Sequence, residues 1–215
     1  MLGNHGRKGI GIFFTPLAKL LAKLHVTPNM VTLCSSVIIT AISLGMLARG
    51  NLFWGGITVG LVLLADSVDG TLARLTGMTS KFGAFLDSSM DRITDGIVFG
   101  SVLWWTVTGL PEGWIRTVAL VSGIVCMTAI GTVPYVRARA ESLGVIAKVG
   151  LAERTDRLVI MLVCAGFSQL SFMPDWLYMV GWVWVAFASC VTIGQRMWVT
   201  WRELRRDELQ ERGHG

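Results

Sequence analysis

The chain of 215 residues is 53% hydrophobic and 15% charged, whereas soluble domains carry about 25% charged residues. This composition excludes an ordinary soluble domain and predicts an integral membrane protein built as one compact helical bundle. The formal net charge of +5 does not indicate nucleic-acid binding, because the basic residues lie between or beside apolar segments, where anionic lipid headgroups or phosphorylated substrates are better partners.

The first part of the chain mixes apolar and basic residues. Residues 8–24 contain Lys8, Lys19 and Lys23 among phenylalanines, leucines and isoleucines, a pattern typical of an amphipathic helix on the membrane surface. A basic cap on the bundle is the alternative. We therefore expect a single domain over residues 1–215, in which residues 1–25 form an interfacial N-terminal helix and residues 26–215 form a membrane-spanning bundle.

Six apolar segments follow, each near the length of about 20 residues that crosses a bilayer. We predict transmembrane helices at residues 28–48, 53–74, 82–108, 114–142, 156–172 and 176–201. If the termini and the connections between segments two and three and between four and five share one side, only Arg49 and Arg116 of the 19 lysines and arginines lie on the other. The side richer in basic residues is expected to be cytoplasmic. The predicted class is an all-α integral membrane protein with six transmembrane helices plus an interfacial helix.

Four aspartates lie around the connection between segments two and three. Asp66 and Asp69 are three residues apart and Asp87 and Asp91 are four apart, so each pair projects from one face of a helix. Converging carboxylates repel one another unless divalent cations lie between them, and an all-oxygen set favours Mg²⁺ or Mn²⁺ over zinc. The sequence therefore predicts a metal site at the membrane boundary. An ion-pair network is the alternative, which is disfavoured because an aspartate within the bilayer costs about 2.5–3.5 kcal/mol on insertion scales.

The aspartates belong to a longer pattern, Asp66-x2-Asp69-Gly70-x2-Ala73-Arg74-x8-Gly83-x3-Asp87-x3-Asp91. It resembles the signature of the CDP-alcohol phosphotransferases at every defined position. The resemblance implies a homodimeric membrane enzyme that transfers a CDP-linked phosphoalcohol to a hydroxyl group and releases CMP. It also implies Mg²⁺, two ions per subunit, with Mn²⁺ possible in its place. Asp66, Asp69, Asp87 and Asp91 would be the metal ligands, and Asp91 would also accept the proton of the acceptor hydroxyl.

The same resemblance gives the CDP-diacylglycerol site a set of small and polar residues: Asn29, Met30, Val31, Thr32, Gly70, Arg74 and Ser80. Gly70, Ala73 and Gly83 lack the bulk that would keep a nucleotide away from the helices, although small residues also favour tight helix packing. Arg74 is expected either to bind the pyrophosphate or to brace a carboxylate. For residues 29–32, the start of a helix is the alternative reading.

Within the family, the chain is most similar to the phosphatidylinositol-phosphate synthases of actinobacteria. The similarity is carried by TPNMVT at residues 27–32, YVRARAES at 135–142 and GLAERTDRLVI at 150–160, together with the aspartate signature. It implies transfer of a phosphatidyl group from CDP-diacylglycerol to inositol 1-phosphate. Arg137, Arg154 and Arg196 would bind the acceptor phosphate, for which arginine offers a fixed fork of donors. The position of Arg137 is commonly Lys in these synthases, and anchoring by positive charge is the alternative role for all three arginines.

Two other functions remain open at this point. A phosphatidylglycerophosphate synthase would use glycerol 3-phosphate, whose phosphate the same arginines could bind. A divalent-cation transporter could use the aspartates as an ion pathway. The transporter gives no reason for the spacing of Gly70, Ala73, Arg74 and Gly83, so a phosphotransferase is favoured.

Overall fold

The computed structural model of the protein describes residue 16 and residues 19–24, 26–66 and 68–213. These residues form helices and connections with no β-strand among them, which confirms the all-α class. Most of the interfacial helix predicted for residues 1–25 lies outside the described residues. Within that segment, residues 19–23 are helical.

The helices follow one another with short connections. In chain order they are α1 Pro28–Gly45, α2 Leu52–Asp66, α3 Val68–Thr76, α4 Lys81–Thr108, α5 Trp114–Ser142, α6 Arg154–Phe167 and α7 Trp176–Gly213. A single 3₁₀ turn, Leu47–Arg49, lies between α1 and α2. Helix α1 begins as the sequence predicts, with Pro28 in its first turn and the Thr27 hydroxyl accepting a hydrogen bond from the Met30 amide at 3.3 Å.

Four stretches of the described residues are long and apolar enough to cross a bilayer: Pro28–Arg49, Leu52–Thr76, Trp114–Ser142 and Trp176–Gln210. They correspond to the first, second, fourth and sixth predicted spans. Helix α4 has 28 residues but carries several charged side chains, and α6 has 14 residues. The protein is therefore a membrane protein with four clear candidate spans, and the count of six stays a prediction.

Helix α1 buries small polar residues and exposes large apolar ones. On α1, the buried residues include Thr32, Ser35, Ser36 and Ser43, whereas Leu33, Val37, Ile38 and Leu44 are exposed. Since lipid is as apolar as leucine, burying leucine gains little in a membrane, and small polar residues instead allow close packing and hydrogen bonding. This arrangement places hydroxyl groups of α1 in the interior, where the candidate site lies.

Contacts divide the chain into two compact units, Met1–Ser101 and Val102–Gly215. In the first unit, α1 packs against α2 and α3, and the buried residues Val68 and Leu72 of α3 contact Leu21, Ala22 and Val31. In the second unit, α5 and α6 both pack against α7. The interior of the second unit includes Trp182 and Tyr178, whose hydroxyl donates to the Val102 carbonyl at 2.8 Å.

Candidate active site

Three of the four aspartates converge. Asp66 ends α2, Asp69 lies in the first turn of α3 and Asp87 lies near the start of α4. One carboxylate oxygen from each lies within 4.8 Å of the others, and all three residues are partly buried. Among the described residues, Asp91 is not part of this group, although it follows Asp87 by one helical turn on α4. The structure therefore brings together three of the four predicted metal ligands.

Two hydroxyl groups of α1 hold two of these carboxylates. The Ser35 hydroxyl donates to Asp66 Oδ1 at 2.5 Å, and the Thr32 hydroxyl donates to Asp69 Oδ2 at 2.8 Å. The other oxygen of Asp69 accepts from the Gly70 amide. Thr32 and Ser35 are three residues apart, so one face of α1 presents both hydroxyls. Sequence reasoning missed Ser35, although its spacing from Thr32 on an apolar helix was a signal that could have singled it out.

The cluster fits a hard divalent cation. All of its donors are carboxylate oxygens, which suit Mg²⁺ or Mn²⁺. The hydroxyl donors fix the orientation of two carboxylates and leave further lone pairs for a cation. Three partly buried carboxylates at this separation repel one another strongly, and a cation is the simplest partner that offsets this repulsion.

A cavity of about 290 Å³ lies beside the carboxylates. Asp69 and Asp87 line it, and so do five of the residues predicted to bind CDP-diacylglycerol: Asn29, Thr32, Gly70, Arg74 and Ser80. Met30 and Val31 are not among its lining residues: Met30 is exposed, and Val31 packs against Val68 and Leu72. The cavity also contacts Met78 and Thr79, which no sequence pattern had distinguished.

The two glycines of the signature have different surroundings. A Cβ atom added to Gly70 would meet nothing within 4 Å, so this residue opens the helix surface to the cavity. A Cβ atom added to Gly83 would lie 3.1 Å from both Asn29 Oδ1 and Ser80 Oγ. The Ser80 hydroxyl also accepts from the Gly83 amide at 2.9 Å. Gly70 therefore favours approach of a ligand, whereas Gly83 lets α1 and the start of α4 come close together.

Asp91 and Asp95 continue the face of α4 that begins with Asp87. Asp91 is partly buried, and its Oδ2 lies 3.6 Å from Nη2 of Arg92. Asp95 is buried, with 3% of its surface exposed. Asp91 therefore remains accessible, as a residue that meets a soluble acceptor must be, whereas Asp95 belongs to the interior.

The predicted acceptor arginines all lie in the unit Val102–Gly215. Arg137 is exposed and its Nε donates to Glu141 Oε1 at 2.8 Å, a surface pair that another anion can replace at little cost. Arg154 is the partly buried first residue of α6. Arg196 is buried, and two of its nitrogens donate to backbone carbonyls, Nε to Val149 at 2.9 Å and Nη1 to Val133 at 2.6 Å. The positive charges of Arg137 and Arg196 are close enough to repel each other.

Comparisons with known proteins agree on one family. The sequence model of the CDP-alcohol phosphatidyltransferases matches residues 25–188. A phosphatidylinositol phosphate synthase of Corynebacterium glutamicum is 39% identical over 199 residues, which cover 92% of this chain and 88% of the relative. Crystal structures of the Mycobacterium tuberculosis phosphatidylinositol phosphate synthase, one with manganese and citrate and one with CDP-DAG bound, share 35% identity and a TM-score of 0.81 with this chain. Each alignment covers 87% of this chain, together with 88% of the manganese-bound chain and 93% of the CDP-DAG-bound chain.

These similarities extend over most of the chain and include the whole aspartate pattern from Asp66 to Asp91. The structure adds an oxygen-donor cluster and an adjoining cavity, which suit a metal-dependent transfer from a nucleotide-linked donor. The chain belongs to the CDP-alcohol phosphatidyltransferase family and is a membrane enzyme that transfers a phosphatidyl group.

Proposed function

We propose that this enzyme transfers the phosphatidyl group of CDP-diacylglycerol to a hydroxyl of inositol 1-phosphate, releasing CMP. The observation that carries the proposal is the group of Asp66, Asp69 and Asp87 beside a cavity lined by residues of the nucleotide signature. The names of the relatives support the choice of acceptor, since proteins 39% and 35% identical to this chain are called phosphatidylinositol phosphate synthases. One of them binds CDP-DAG in its crystal structure.

Asp66, Asp69 and Asp87 would hold divalent ions, Mg²⁺ in our proposal and two per subunit, with Asp91 contributing from the next turn of α4. When bound, such ions neutralise a pyrophosphate and stabilise the departing CMP. Ser35 and Thr32 keep the carboxylates oriented. Manganese in the structure of a relative supports a divalent ion of this kind.

The remaining residues bind the donor and activate the acceptor. Asn29, Thr32, Gly70, Arg74 and Ser80 would hold the CDP group in the cavity that they line. Asp91 would take the proton from the acceptor hydroxyl while the new oxygen–phosphorus bond forms and the bond to CMP breaks. The acceptor phosphate would be bound by Arg137, Arg154 and Arg196. Arg196 would use the N–H groups that do not donate to the Val149 and Val133 carbonyls.

The proposed membrane arrangement includes α4 and α6 as the third and fifth of six spans. Residues 1–25 would lie at the interface, and residues 1–215 would act as one domain of a homodimer. The enzyme would reside in the cytoplasmic membrane with its active site facing the cytoplasm, because this orientation leaves only Arg49 and Arg116 on the far side. Burial of the Asp95 side chain, which is 3% exposed, supports α4 as one of the spans, because a charged residue of a span faces the protein interior.

A panel of acceptors tests the function. Purified enzyme with Mg²⁺ and CDP-diacylglycerol is expected to release CMP with inositol 1-phosphate, but not with inositol or glycerol 3-phosphate. The lipid product should gain the mass of the phosphorylated inositol, and EDTA should stop the reaction. Release of CMP with glycerol 3-phosphate alone would identify a phosphatidylglycerophosphate synthase instead. If none of the three acceptors supports CMP release, inositol 1-phosphate is refuted as the acceptor and the phosphatidyl group goes to a different hydroxyl compound.

Ser35 and Ser36 form a matched pair for testing how α1 supports the site. Both are buried on α1, and both hydroxyls lie within hydrogen-bond distance of the Thr32 carbonyl, Ser35 at 3.0 Å and Ser36 at 2.7 Å, but only the Ser35 hydroxyl also reaches Asp66. Ser35→Ala should raise the Mg²⁺ concentration needed for half-maximal activity by about 10-fold or more, as loss of a group that orients a metal ligand usually does. Ser36→Ala should leave it unchanged. An equal Mg²⁺ requirement in the two variants would show that Ser35 does not support a metal ligand.

A further inference from the structure

The connection between α5 and α6 lacks regular structure of its own. Residues 145–153 are not helical, so their backbone amides and carbonyls need partners from elsewhere in the fold. Helix α7 supplies several of these partners from one of its faces. This connection leads directly into Arg154, the first residue of α6.

Thr192 of α7 contacts the connection most closely. Its hydroxyl oxygen accepts from the Leu151 amide at 3.1 Å and from the Ala152 amide at 3.4 Å, and it donates to the Ala188 carbonyl of its own helix at 2.7 Å. A hydroxyl has one hydrogen to donate and two lone pairs, so this group is fully used. Thr192 is completely buried, and water cannot replace it there.

Gly150 brings the backbone of the connection against the same side chain. A Cβ atom added to Gly150 would lie 2.7 Å from Cγ2 of Thr192, which is closer than any real side chain allows. The absence of a side chain at residue 150 therefore permits the hydrogen bonds to residues 151 and 152.

Two further residues of α7 extend this attachment. Arg196, one turn after Thr192, donates to the Val149 carbonyl at 2.9 Å. Leu204, eight residues after Arg196, packs against the buried cluster of Ala140, Val145 and Ala147. Thr192 and Arg196, four residues apart, lie on one face of α7. This face holds the connection at Val149, Leu151 and Ala152.

The fixed backbone continues into the start of α6. Glu153 caps this helix in a reciprocal arrangement with Asp156, in which the Glu153 amide donates to Asp156 Oδ2 at 3.1 Å. Only Glu153 separates Ala152 from Arg154. Because Thr192 holds the Ala152 amide and the capping pair holds the following turn, the backbone position of Arg154 depends on Thr192.

We propose that Thr192 is a positioning residue for the phosphorylated acceptor: by holding the Leu151 and Ala152 amides, it places Arg154 where that residue binds the acceptor phosphate. This inference rests on the proposed function, in which Arg154 has that role. It predicts that loss of the Thr192 hydroxyl weakens acceptor binding without affecting the donor site, since the residues of the donor site belong to other helices.

Thr192→Val tests the hydroxyl with little change in shape, because valine keeps the methyl group that faces Gly150. The KM for the acceptor should rise about tenfold, since the Leu151 and Ala152 amides lose their hydrogen-bond acceptor, while the KM for CDP-diacylglycerol stays the same. Hydrogen exchange in peptides covering residues 149–154 should become faster. Arg154→Ala should raise the acceptor KM further. Thr200→Val is the matched control, because the Thr200 hydroxyl donates to the Arg196 carbonyl within α7 at 2.8 Å, and it should change none of these quantities.

Thr192→Ser and Thr192→Ala keep the test decisive if the valine variant does not fold, since they differ only in the hydroxyl oxygen. The serine variant should retain the acceptor KM of the wild type and the alanine variant should not. Equal acceptor KM values for serine and alanine, or an unchanged KM in Thr192→Val, would overturn the positioning role. The acceptor used is whichever one the wild-type enzyme consumes, so use of glycerol 3-phosphate would refute the proposed function while leaving the comparison at Thr192 valid.

Discussion

Asp91→Asn is expected to lower kcat by about 1,000-fold, within the range of roughly 10²–10⁴ that a general base contributes. The substitution keeps the size of the side chain and removes its basicity. Asp91 is suited to this role because it lies outside the group formed by Asp66, Asp69 and Asp87 and remains partly exposed. Single-turnover release of CMP, measured with saturating donor and acceptor, isolates the chemical step from binding.

The Asp91→Asn variant also decides whether Asp91 is a metal ligand. If Asp91 is chiefly the base and only a minor metal ligand, the variant should still bind CDP-diacylglycerol, its thermal unfolding temperature should not change, and its Mg²⁺ requirement should rise less than that of Asp87→Asn. Turnover close to that of the wild type would exclude the base. A Mg²⁺ requirement that rises as much as in Asp87→Asn would instead make Asp91 a metal ligand equal to Asp66, Asp69 and Asp87.

The composition of the site could be predicted from the sequence because most of it depends on local spacing. The period of a helix gives the relative orientation of Asp87 and Asp91 whatever the rest of the fold does. The signature similarly singled out Gly70 and Arg74, which the structure places at the cavity. Convergence of the aspartates was expected because divalent cations between them would offset their mutual repulsion, and the structure brings the oxygens of Asp66, Asp69 and Asp87 together.

Contacts between distant segments could not be predicted in the same way. Ser35 lies 31 residues from Asp66, and Thr192 lies 41 residues from Leu151, so no helical period relates either pair. Sequence patterns also could not show that Val31 turns toward Val68 and Leu72 rather than the cavity. The third predicted span is difficult to recognise as a membrane span for another reason. A helix that carries functional charges, such as α4, has the composition of a poor membrane span even when those charges face inward.

Asp87→Asn is expected to raise the Mg²⁺ requirement by more than about 100-fold, which exceeds the roughly 10–100-fold effect of residues that only orient a ligand. Asp87 is the only member of the carboxylate group for which the structure gives no hydroxyl donor among the described residues of α1. Its charge is therefore available to a cation. Activity measured across a Mg²⁺ titration gives the requirement. Asp207→Asn, the same charge change at an exposed residue of α7, is the control and should behave as the wild type.

Adding metal should reverse the order of stability of Asp87→Asn and the wild type. Without metal, the oxygens of three carboxylates lie within 4.8 Å of one another, so removing one charge relieves repulsion and should raise the unfolding temperature of Asp87→Asn above that of the wild type. With Mg²⁺ at 100 times its Kd, the wild type gains about 2.7 kcal/mol from binding and the variant gains little, so the order should invert. Thermal unfolding in EDTA and in Mg²⁺ measures both orders. A variant less stable than the wild type under both conditions would mean that Asp87 stabilises the helices directly, as in the ion-pair network, and does not hold a cation.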